Sequence, residues 1–289
     1  MNIIKKNFSR LYMAYDTIFN TKVIEGGKFN WIKLKSLSYM PIILPFLKEK
    51  INNFLSRKER KNYIIQNKVA KFFLYNNDDT LGKSSQYFEH HLQHFLDDTE
   101  NKKLFVDIGT NIGFYTLYAI NKKGFQKSIC FEANPDTFKV LNKNIELNNL
   151  DKNVDLKNFG LGDKEDKLTF LQNKTHTGGS KFISSEEKSN YTGENYNIID
   201  VNIKKFDDII SNKNIDINDI GFIKMDVEGF EYNVLIGMKE TLTKLNKGTK
   251  LFIEIWGKHP KLEETKKFIQ DNGFVLKENI GSNYLYIKK

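Results

Sequence analysis

The chain has almost no cysteine: Cys130 is the one thiol in 289 residues. A single cysteine excludes a disulfide within the chain. Because Cys130 lies inside an apolar run, it is expected to pack as a small hydrophobic side chain. The lack of disulfides favours a reducing compartment and predicts a cytoplasmic location.

Long apolar runs are also missing. The strongest run, residues 39–47, is too short to span a bilayer and contains Pro41 and Pro45. No continuous apolar segment follows Lys5 and Lys6, so a secretory signal is not expected. These absences agree with a cytoplasmic protein whose contact with a membrane, if it has one, is peripheral and on the inner face.

Arginine is absent after residue 60. Residues 1–68 contain all three arginines, Arg10, Arg57 and Arg60, and hold 14 basic against 4 acidic residues, a net charge of +10. The remaining 31 basic and 32 acidic residues sum to −1. The larger part of the chain therefore has no guanidinium to bind a phosphate bidentately, and its near-neutral charge argues against a nucleic-acid partner.

The basic segment begins with a helical pattern. Apolar side chains recur at helical spacing between residues 4 and 19, with Lys5, Lys6 and Arg10 between them. Residues 1–68 are therefore predicted to form a basic, largely helical extension. Three roles stay open for it: covering the rest of the protein, contacting a protein partner or a second copy, and lying on an anionic membrane surface.

Among the features that are present, the most informative is a strand that turns sharply into a helix. Residues 104–113 read LFVDIGTNIG, in which Asp107 follows an apolar run and Gly109 and Gly113 allow the backbone to approach a ligand closely. Glu132 follows the next apolar run and can accept both hydroxyls of a ribose. The pattern predicts a pocket for a nucleoside cofactor.

The spacing of the turn indicates which nucleoside is bound. The Gly-x-Gly-x-x-Gly pattern that admits a pyrophosphate is missing from this turn. An aspartate before the first glycine suits a ligand with an amino group and no pyrophosphate. We therefore expect S-adenosylmethionine as the cofactor.

Three motifs in order resemble the FkbM family of S-adenosylmethionine-dependent methyltransferases. They are VDIGTNIG at residues 106–113, EANP at 132–135 and DVEGFE at 226–231. The resemblance covers roughly residues 69–289. It implies a methyltransferase domain there, preceded by the extension at 1–68, and it implies that the chain is an enzyme.

Strands and helices alternate after residue 69, which predicts an α/β fold. With the resemblance, this becomes a class I methyltransferase (Rossmann-like) fold: a seven-stranded, mostly parallel sheet with helices on both faces. A preliminary strand is predicted at 69–75 and a helix at 84–96. A hairpin-like insertion is predicted at 167–201, and a closing antiparallel pair at 274–278 and 284–288.

The resemblance also assigns cofactor contacts. Glu132 takes the ribose, Leu161 flanks the adenine, and Asp107 holds the methionine part together with the glycines of the turn. For Asp163 two interpretations stay open, a contact with the adenine amino group and a charged turn residue. The predicted cofactor-binding residues are Asp107, Gly109, Asn111, Gly113, Glu132, Asn134, Leu161 and Asp163.

The candidate catalytic residues are Asp226, Glu228 and His259. Asp226 ends the fourth main strand and is predicted to position the acceptor or to serve as general base. Glu228 has a second interpretation, as the cap of the following helix. No resident metal is predicted, although these carboxylates could hold a divalent cation with Glu254 and His259.

A histidine cluster and its neighbour complete the candidates. His90, His91 and His94 lack the glutamate of a zinc-binding His-Glu-x-x-His motif, so a capping or lid element is expected. Glu89 matches an acidic position that precedes the cofactor motif in FkbM-like proteins, and it is expected to face the site.

The acceptor is predicted to be an oxygen. Methylation of an exocyclic base nitrogen usually requires an Asn/Asp-Pro-Pro-aromatic turn after the fourth strand, where this chain has Asp-Val-Glu-Gly. The FkbM resemblance implies a hydroxyl of a sugar, in a surface glycan or its nucleotide-linked precursor. The alternatives are methylation of RNA or another polyanion, and a non-catalytic binding module on the same fold.

Overall fold

A computed structural model gives the fold of the chain. It describes residues 15, 21–28, 62–75, 85, 88–89, 91–174, 177–184, 186–191, 193, 195–213 and 215–289. Within these residues, none of the helices combines the length and the hydrophobicity needed to cross a bilayer.

A seven-stranded sheet forms the centre of the molecule, in the order β13-β14-β12-β11-β4-β5-β6. All neighbouring pairs are parallel except those of β14, which runs antiparallel to β12 and β13. Successive strands extend the sheet on one side of β4 and then on the other, so the strand order reverses between β4 and β11. The strands are β4 (Leu104–Ile108), β5 (Lys127–Phe131), β6 (Val154–Lys157), β11 (Ile220–Met225), β12 (Lys250–Glu254), β13 (Phe274–Ile280) and β14 (Asn283–Lys288).

Helices cover both faces of this sheet. Residues of β4 alternate between two cores: Phe105 packs in one with Phe114, and Val106 packs in the other with Leu235. Cys130 is buried and free, as expected. The class I methyltransferase fold predicted from the sequence is confirmed. The helices are α1 (Phe114–Lys123), α2 (Pro135–Leu147), α3 (Phe206–Lys213), α4 (Glu231–Gly237), α5 (Lys239–Lys244) and α6 (Leu262–Asp271).

The predicted insertion forms a second sheet, in the order β7-β10-β8-β9. Its two long strands are antiparallel, with Thr169 opposite Asp200, so the hairpin expected at 167–201 is confirmed. Gly160 and Leu161 at its edge connect it to the central sheet. The strands are β7 (Gly160–Leu161), β8 (Asp166–Asn173), β9 (Lys181–Phe182) and β10 (Tyr196–Lys204).

A third sheet joins the extension to the rest of the protein. It consists of β1 (Lys22–Glu25), β2 (Asn62–Gln66) and β3 (Lys71–Tyr75). β2 and β3 form a hairpin across the predicted boundary at residue 68, and their buried side chains join the core that contains Phe105. The described parts of the extension are thus mainly strand, where a largely helical segment was predicted. Apart from Tyr15, the helical pattern at 4–19 lies outside the described residues.

The helix predicted at 84–96 is wrong in its described part. Only Gln93–Leu96 is helical, as a 3₁₀ turn, and the chain before it makes tight turns closed by bonds from Phe88 N–H to Ser85 and from Leu92 N–H to Glu89. Glu89 has a positive φ of 45°, which interrupts a right-handed helix. The turns bury Leu92, Phe95 and Leu96.

Candidate active site

A pocket of about 220 Å³ opens at the carboxyl edge of the central sheet, where the strand order reverses. The ends of β4, β5, β11 and β12 all contribute to its lining. Six residues predicted from the sequence meet there: Gly109, Asn111, Glu132, Leu161, Asp226 and Glu228.

Glu132 is held in place by backbone groups on two sides. Its Oε2 accepts a hydrogen bond from Asn111 N–H at 2.8 Å, and its Oε1 accepts one from Asn134 N–H at 2.8 Å. The residue lines the pocket although only 8% of it is exposed. A carboxylate fixed in this way can accept hydrogen bonds from the two hydroxyls of a diol.

The turn after β4 depends on glycine for a reason that the sequence did not reveal. Gly109 has a φ of +76°, and a Cβ at this position would lie 1.8 Å from the carbonyl oxygen of Asp226. The loops after β4 and β11 therefore touch through their backbones. The glycine is required by this contact between loops, whereas the sequence suggested that it clears space for a ligand.

We predict that Gly109→Ala destabilises the protein by roughly 2–5 kcal/mol, because the new Cβ adds both a left-handed strain and a backbone clash. Gly248→Ala is the matched control. Gly248 also has a positive φ of +89°, but nothing lies within 4 Å of its Cβ position. It should cost about 1–2 kcal/mol. Urea denaturation measures both, and equal losses would contradict the assigned contact.

Asp107 and Gly113 lie beneath the pocket and do not line it. Asp107 is fully buried; Thr116 donates a hydrogen bond to its Oδ2 at 2.7 Å. Burial raises the pKa of the Asp107 carboxyl, against the opposing effect of Lys224. Gly113, with a φ of 90°, begins α1 close to Leu141. In the structure both residues support the turn from below, and their predicted contacts with the cofactor stay predictions.

Asn134 and Asp163 also lie outside the pocket lining. Asn134 caps α2 by accepting a hydrogen bond from Asp136 N–H, and it accepts another from Gln172 Nε2 at 2.8 Å. It therefore ties the insertion to the end of β5. Asp163 accepts a hydrogen bond from Asn233 Nδ2 at 3.3 Å at the surface, which favours its interpretation as a turn residue.

A buried lysine connects the acidic ends of β4 and β11. Lys224 Nζ donates to the carbonyl oxygen of Gly109 at 2.8 Å and lies 3.7 Å from Asp107 Oδ1 and 3.6 Å from Asp226 Oδ2. Burial opposes its charge, but Asp226 and the other carboxylates outweigh burial, so the pKa of Lys224 is raised. The ammonium group holds Asp226 at the pocket, where a third of its side chain is exposed.

The loop after β11 separates the roles of its two glutamates. Glu231 Oε1 accepts hydrogen bonds from Gly229 N–H at 3.0 Å and from Val227 N–H at 3.4 Å, so Glu231 stabilises the turn before α4. The alternative that Glu228 caps this helix is therefore not what the structure shows. Glu228 has a φ of 56° and lines the pocket.

His259 is placed behind this loop. Its Nδ1 accepts a hydrogen bond from Lys261 N–H at 3.1 Å, and its Nε2 lies 3.0 Å from the carbonyl oxygen of Gly229. These contacts indicate a neutral ring that donates through Nε2. His259 does not line the pocket; it supports the loop that carries Glu228, and its predicted catalytic role stays a prediction.

Two further carboxylates line the pocket, Glu89 and Glu254. Ser282 Oγ donates to Glu254 Oε1 at 2.6 Å, and burial, followed by Asp226, raises the pKa of Glu254. Glu89 was expected to face the site from the family resemblance, and Glu254 was named only as a possible ligand of a cation. Glu254 ends β12 and follows the same strand-end rule as Asp226, whereas Glu89 comes from the turn before the central sheet.

Aromatic side chains form the part of the pocket that sequence analysis missed. Apart from Phe131, which ends β5 beside Glu132, they come from the β6–β7 connection, from the insertion and from the turn around residue 88, which the sequence does not place near the motifs. Phe159 packs against Phe131 at 5.9 Å between ring centres. The aromatic residues of the lining are Phe88, Phe131, Phe159, Phe170 and Phe182.

Among the described residues, no group of three His, Cys, Asp or Glu side chains has an arrangement that could hold a metal ion. His94 lies at the surface, with Nε2 3.1 Å from the Glu278 carboxylate, and it does not line the pocket. His90 and His176 lie outside the described residues. Metal dependence therefore stays a question for experiment.

Comparison with known proteins identifies the family to which the chain belongs. The model of the methyltransferase FkbM domain matches residues 107–276. "Methyltransferase 1" of Beauveria bassiana is 30% identical over 147 residues, which are 47% of this chain and 58% of that protein. "Methyltransferase sdnD" of Sordaria araneosa is 25% identical over 243 residues, which are 76% of this chain and 88% of that protein.

One solved structure is also similar to this chain. The crystal structure of methyltransferase FkbM from Methylobacillus flagellatus is 15% identical, with a TM-score of 0.46, and the match covers 99% of this chain and 59% of that one. The chain thus spans somewhat more than half the length of the Beauveria protein and of the Methylobacillus protein.

Proposed function

The chain belongs to the FkbM family of methyltransferases, and on that premise we propose that it transfers a methyl group from S-adenosylmethionine to a hydroxyl oxygen of a sugar. The proposal rests on one observation: a single pocket is lined by a carboxylate suited to binding a diol and, apart from it, by a group of carboxylates at the strand ends. Glu132 forms the first part, and Asp226 and Glu254 belong to the second.

The residues present fit S-adenosylmethionine. Glu132 would hold the ribose hydroxyls, because two backbone N–H groups fix its carboxylate at the pocket wall. Phe159 and Leu161 would enclose the adenine on the apolar side of the same pocket. The carboxylates near Asp226 would favour the positive sulfonium and ammonium groups.

When bound, S-adenosylmethionine supplies an electrophilic methyl group, so the protein needs only to hold the acceptor oxygen in line and to manage its proton. Asp226 is suited to hold the acceptor hydroxyl, because Lys224 fixes one side of its carboxylate while part of it faces the pocket. Glu228 lies on the same loop and can accept a hydrogen bond from a second hydroxyl.

The charge of the pocket supports a neutral acceptor rich in hydroxyls. Four carboxylates line the acceptor side, and a phosphate brought there would meet like charge. The part of the chain after residue 60 contains no arginine that could offset this repulsion. Carboxylates accept hydrogen bonds from hydroxyl groups, so a sugar is the acceptor class that they suit best.

Two further features favour a sugar. The insertion contributes Gly178, Ser180 and Phe182 to the pocket wall, so it is placed to contact an acceptor. Trp256 lies two residues beyond Glu254 at the same edge of the sheet and is 45% exposed. An exposed indole offers an apolar face with a polar edge, which suits the stacking of a sugar ring.

Mass spectrometry of glycans and nucleotide-sugar pools tests the acceptor. Cells that lack the protein should lose one methyl group from a single sugar, and wild-type protein should restore it. Asp226→Asn, the matched control, should leave the sugar unmethylated. Unchanged glycans together with a lost methyl group on RNA or on a protein would contradict the proposal.

The basic extension favours a second candidate, methylation of RNA or another polyanion. Its net charge of +10 could dock such a substrate. Since β2 packs into the core, the charge of the extension should be reduced by substitution rather than by deletion: changing Arg10, Arg57 and Arg60 to Gln lowers its net charge from +10 to +7. Affinity for RNA that falls steeply with salt and with these changes would favour this candidate. Contacts with a membrane or protein partner, a second copy and a cytoplasmic location remain proposals.

A further inference from the structure

Glu89 occupies an unusual position in the pocket. It comes from the turn before the central sheet, yet it lines the same pocket as Asp226 and Glu254. Its φ of 45° lies in the left-handed region, which is costly for a residue with a side chain. The bond from Leu92 N–H to its carbonyl oxygen, at 2.7 Å, closes the turn that keeps it there. A strained backbone thus presents a carboxylate to the pocket.

A buried hydroxyl positions this carboxylate. Tyr115 is 4% exposed on α1, the helix that follows the cofactor turn, and its hydroxyl donates a hydrogen bond to Glu89 Oε2 at 2.8 Å. Lys224 Nζ lies on the other side of Tyr115, 5.7 Å from its ring centre. The group that fixes Glu89 is therefore a neutral phenol, and the nearby lysine is engaged with Gly109 and the aspartates.

The groups around Glu89 leave its charge poorly stabilised. Burial raises its pKa to about 7, and the negative charges of Asp226 and Glu254 act in the same direction. The hydrogen bond from Tyr115 and the charge of Lys224 act against them. A carboxylate with this pKa is deprotonated in part near neutral pH, and it binds a proton more tightly than an ordinary glutamate does.

From this placement we infer that Glu89 is the general base, which removes the proton of the acceptor hydroxyl while Asp226 orients that hydroxyl. The inference rests on the proposed function and names the residue that completes it. The O–H bond breaks and the proton passes to Glu89 Oε1, the oxygen opposite the Tyr115 bond. The acceptor oxygen forms the new C–O bond with its electron pair, and the electron pair of the C–S bond remains on sulfur.

Kinetics at several pH values tests this assignment. The acceptor probe is a soluble carbohydrate extract from cells that lack the protein, and release of S-adenosylhomocysteine is measured. Wild-type kcat should fall as the pH drops below about 7, where Glu89 is protonated. Glu89→Gln should lower kcat on the order of 10²-fold or more and lose this dependence. Glu89→Asp should recover part of the rate.

Substitutions at two neighbouring residues should shift the fall of kcat at low pH, the acidic limb of the pH profile, in opposite directions. Tyr115→Phe removes a bond that lowers the pKa of Glu89, so the limb should shift to higher pH. Glu254→Gln removes a charge that raises the pKa of Glu89, so the limb should shift to lower pH. The assignment is overturned if the acidic limb persists in Glu89→Gln, or if neither Tyr115→Phe nor Glu254→Gln shifts it.

Thermal unfolding without ligand gives a readout that does not depend on activity. The folded-state pKa of Glu89 is raised, so the charged form is destabilising and stability falls as pH rises from the unfolded value near 4.5 through about 7. Glu89→Gln should therefore raise Tm relative to wild type more at pH 8 than at pH 5. A Tm difference that does not change with pH would overturn the assignment.

The proposed function can fail separately. If wild-type protein binds S-adenosylmethionine but methylates nothing in the carbohydrate extract, the sugar acceptor is wrong. If the wild type is active and Glu89→Gln is equally active, the base is wrong and the function stands.

Discussion

Replacing Glu132 with alanine is expected to remove most of the affinity for S-adenosylmethionine. The carboxylate would lose two hydrogen bonds to the ribose, each worth about 1.5–3 kcal/mol because one partner is charged. A loss on the order of 10²-fold or more in Kd follows. The substitution also leaves the N–H groups of Asn111 and Asn134 without their acceptor, which adds to the loss by loosening the turn.

Calorimetry measures this effect, and Asp163→Ala is its matched control. Asp163 was a cofactor candidate from the sequence, but the structure directs it towards Asn233 and away from the pocket lining. Asp163→Ala should bind the cofactor as the wild type does. If Glu132→Ala binds equally well, Glu132 is not the ribose ligand. If folded wild-type protein binds neither S-adenosylmethionine nor its demethylated product, the chain is a non-catalytic module.

The second large effect is expected from Asp226→Asn. The amide keeps the size of the side chain, but its hydrogen bond to the acceptor hydroxyl is weaker than that of the carboxylate. Turnover should therefore fall on the order of 10²-fold or more. Cofactor affinity should change little, since Glu132 and the turn after β4 stay intact. Initial rates and calorimetry on the same preparation separate the two effects, and unchanged turnover would remove Asp226 from the mechanism.

Two controls sharpen this experiment. His259→Gln should keep turnover near the wild-type level, because His259 braces the loop from behind and does not line the pocket. A loss of turnover comparable to that of Asp226→Asn would make His259 a catalytic candidate again.

A chelator in the same assay tests the metal alternative: inhibition that magnesium reverses would show that a cation assists the acceptor. Asp226→Asn should also keep an acidic limb in the pH profile, moved to lower pH because the charge of Asp226 raises the pKa of Glu89, whereas Glu89→Gln should lose the limb.

Much of the fold could be predicted because its signals are local. Apolar runs of strand length, such as the fully buried β4 and β11, mark parallel strands wherever they occur. The positions of Glu132 and Asp226 followed from one further rule, that the carboxyl ends of parallel strands meet at the edge where the order reverses. The sequence therefore placed the diol-binding carboxylate and the acceptor-side aspartate in one crevice.

The insertion and the turn around Glu89 could not be placed in the same way. Phe159 and Phe182 reach the pocket only because β7 and β10 carry a second sheet to its rim. A helix was predicted at 84–96, but burial of Leu92, Phe95 and Leu96 against the core decided the tight turns around Glu89. Both features depend on contacts between residues far apart in sequence, and the spacing of apolar residues along the chain does not reveal such contacts.

The sequence by itself determined the strands, the family motifs and which carboxylates end strands, because each depends on neighbours along the chain. The tertiary structure alone decided which of the candidates face the ligand. It placed Asp107, Asn134 and His259 as supports around the pocket, and it showed which contact holds Glu89, expected there from the family resemblance, at the pocket. The direction of a side chain depends on what packs behind it, as Lys224 does for Asp226 and Tyr115 does for Glu89. Such contacts exist only once the chain has folded.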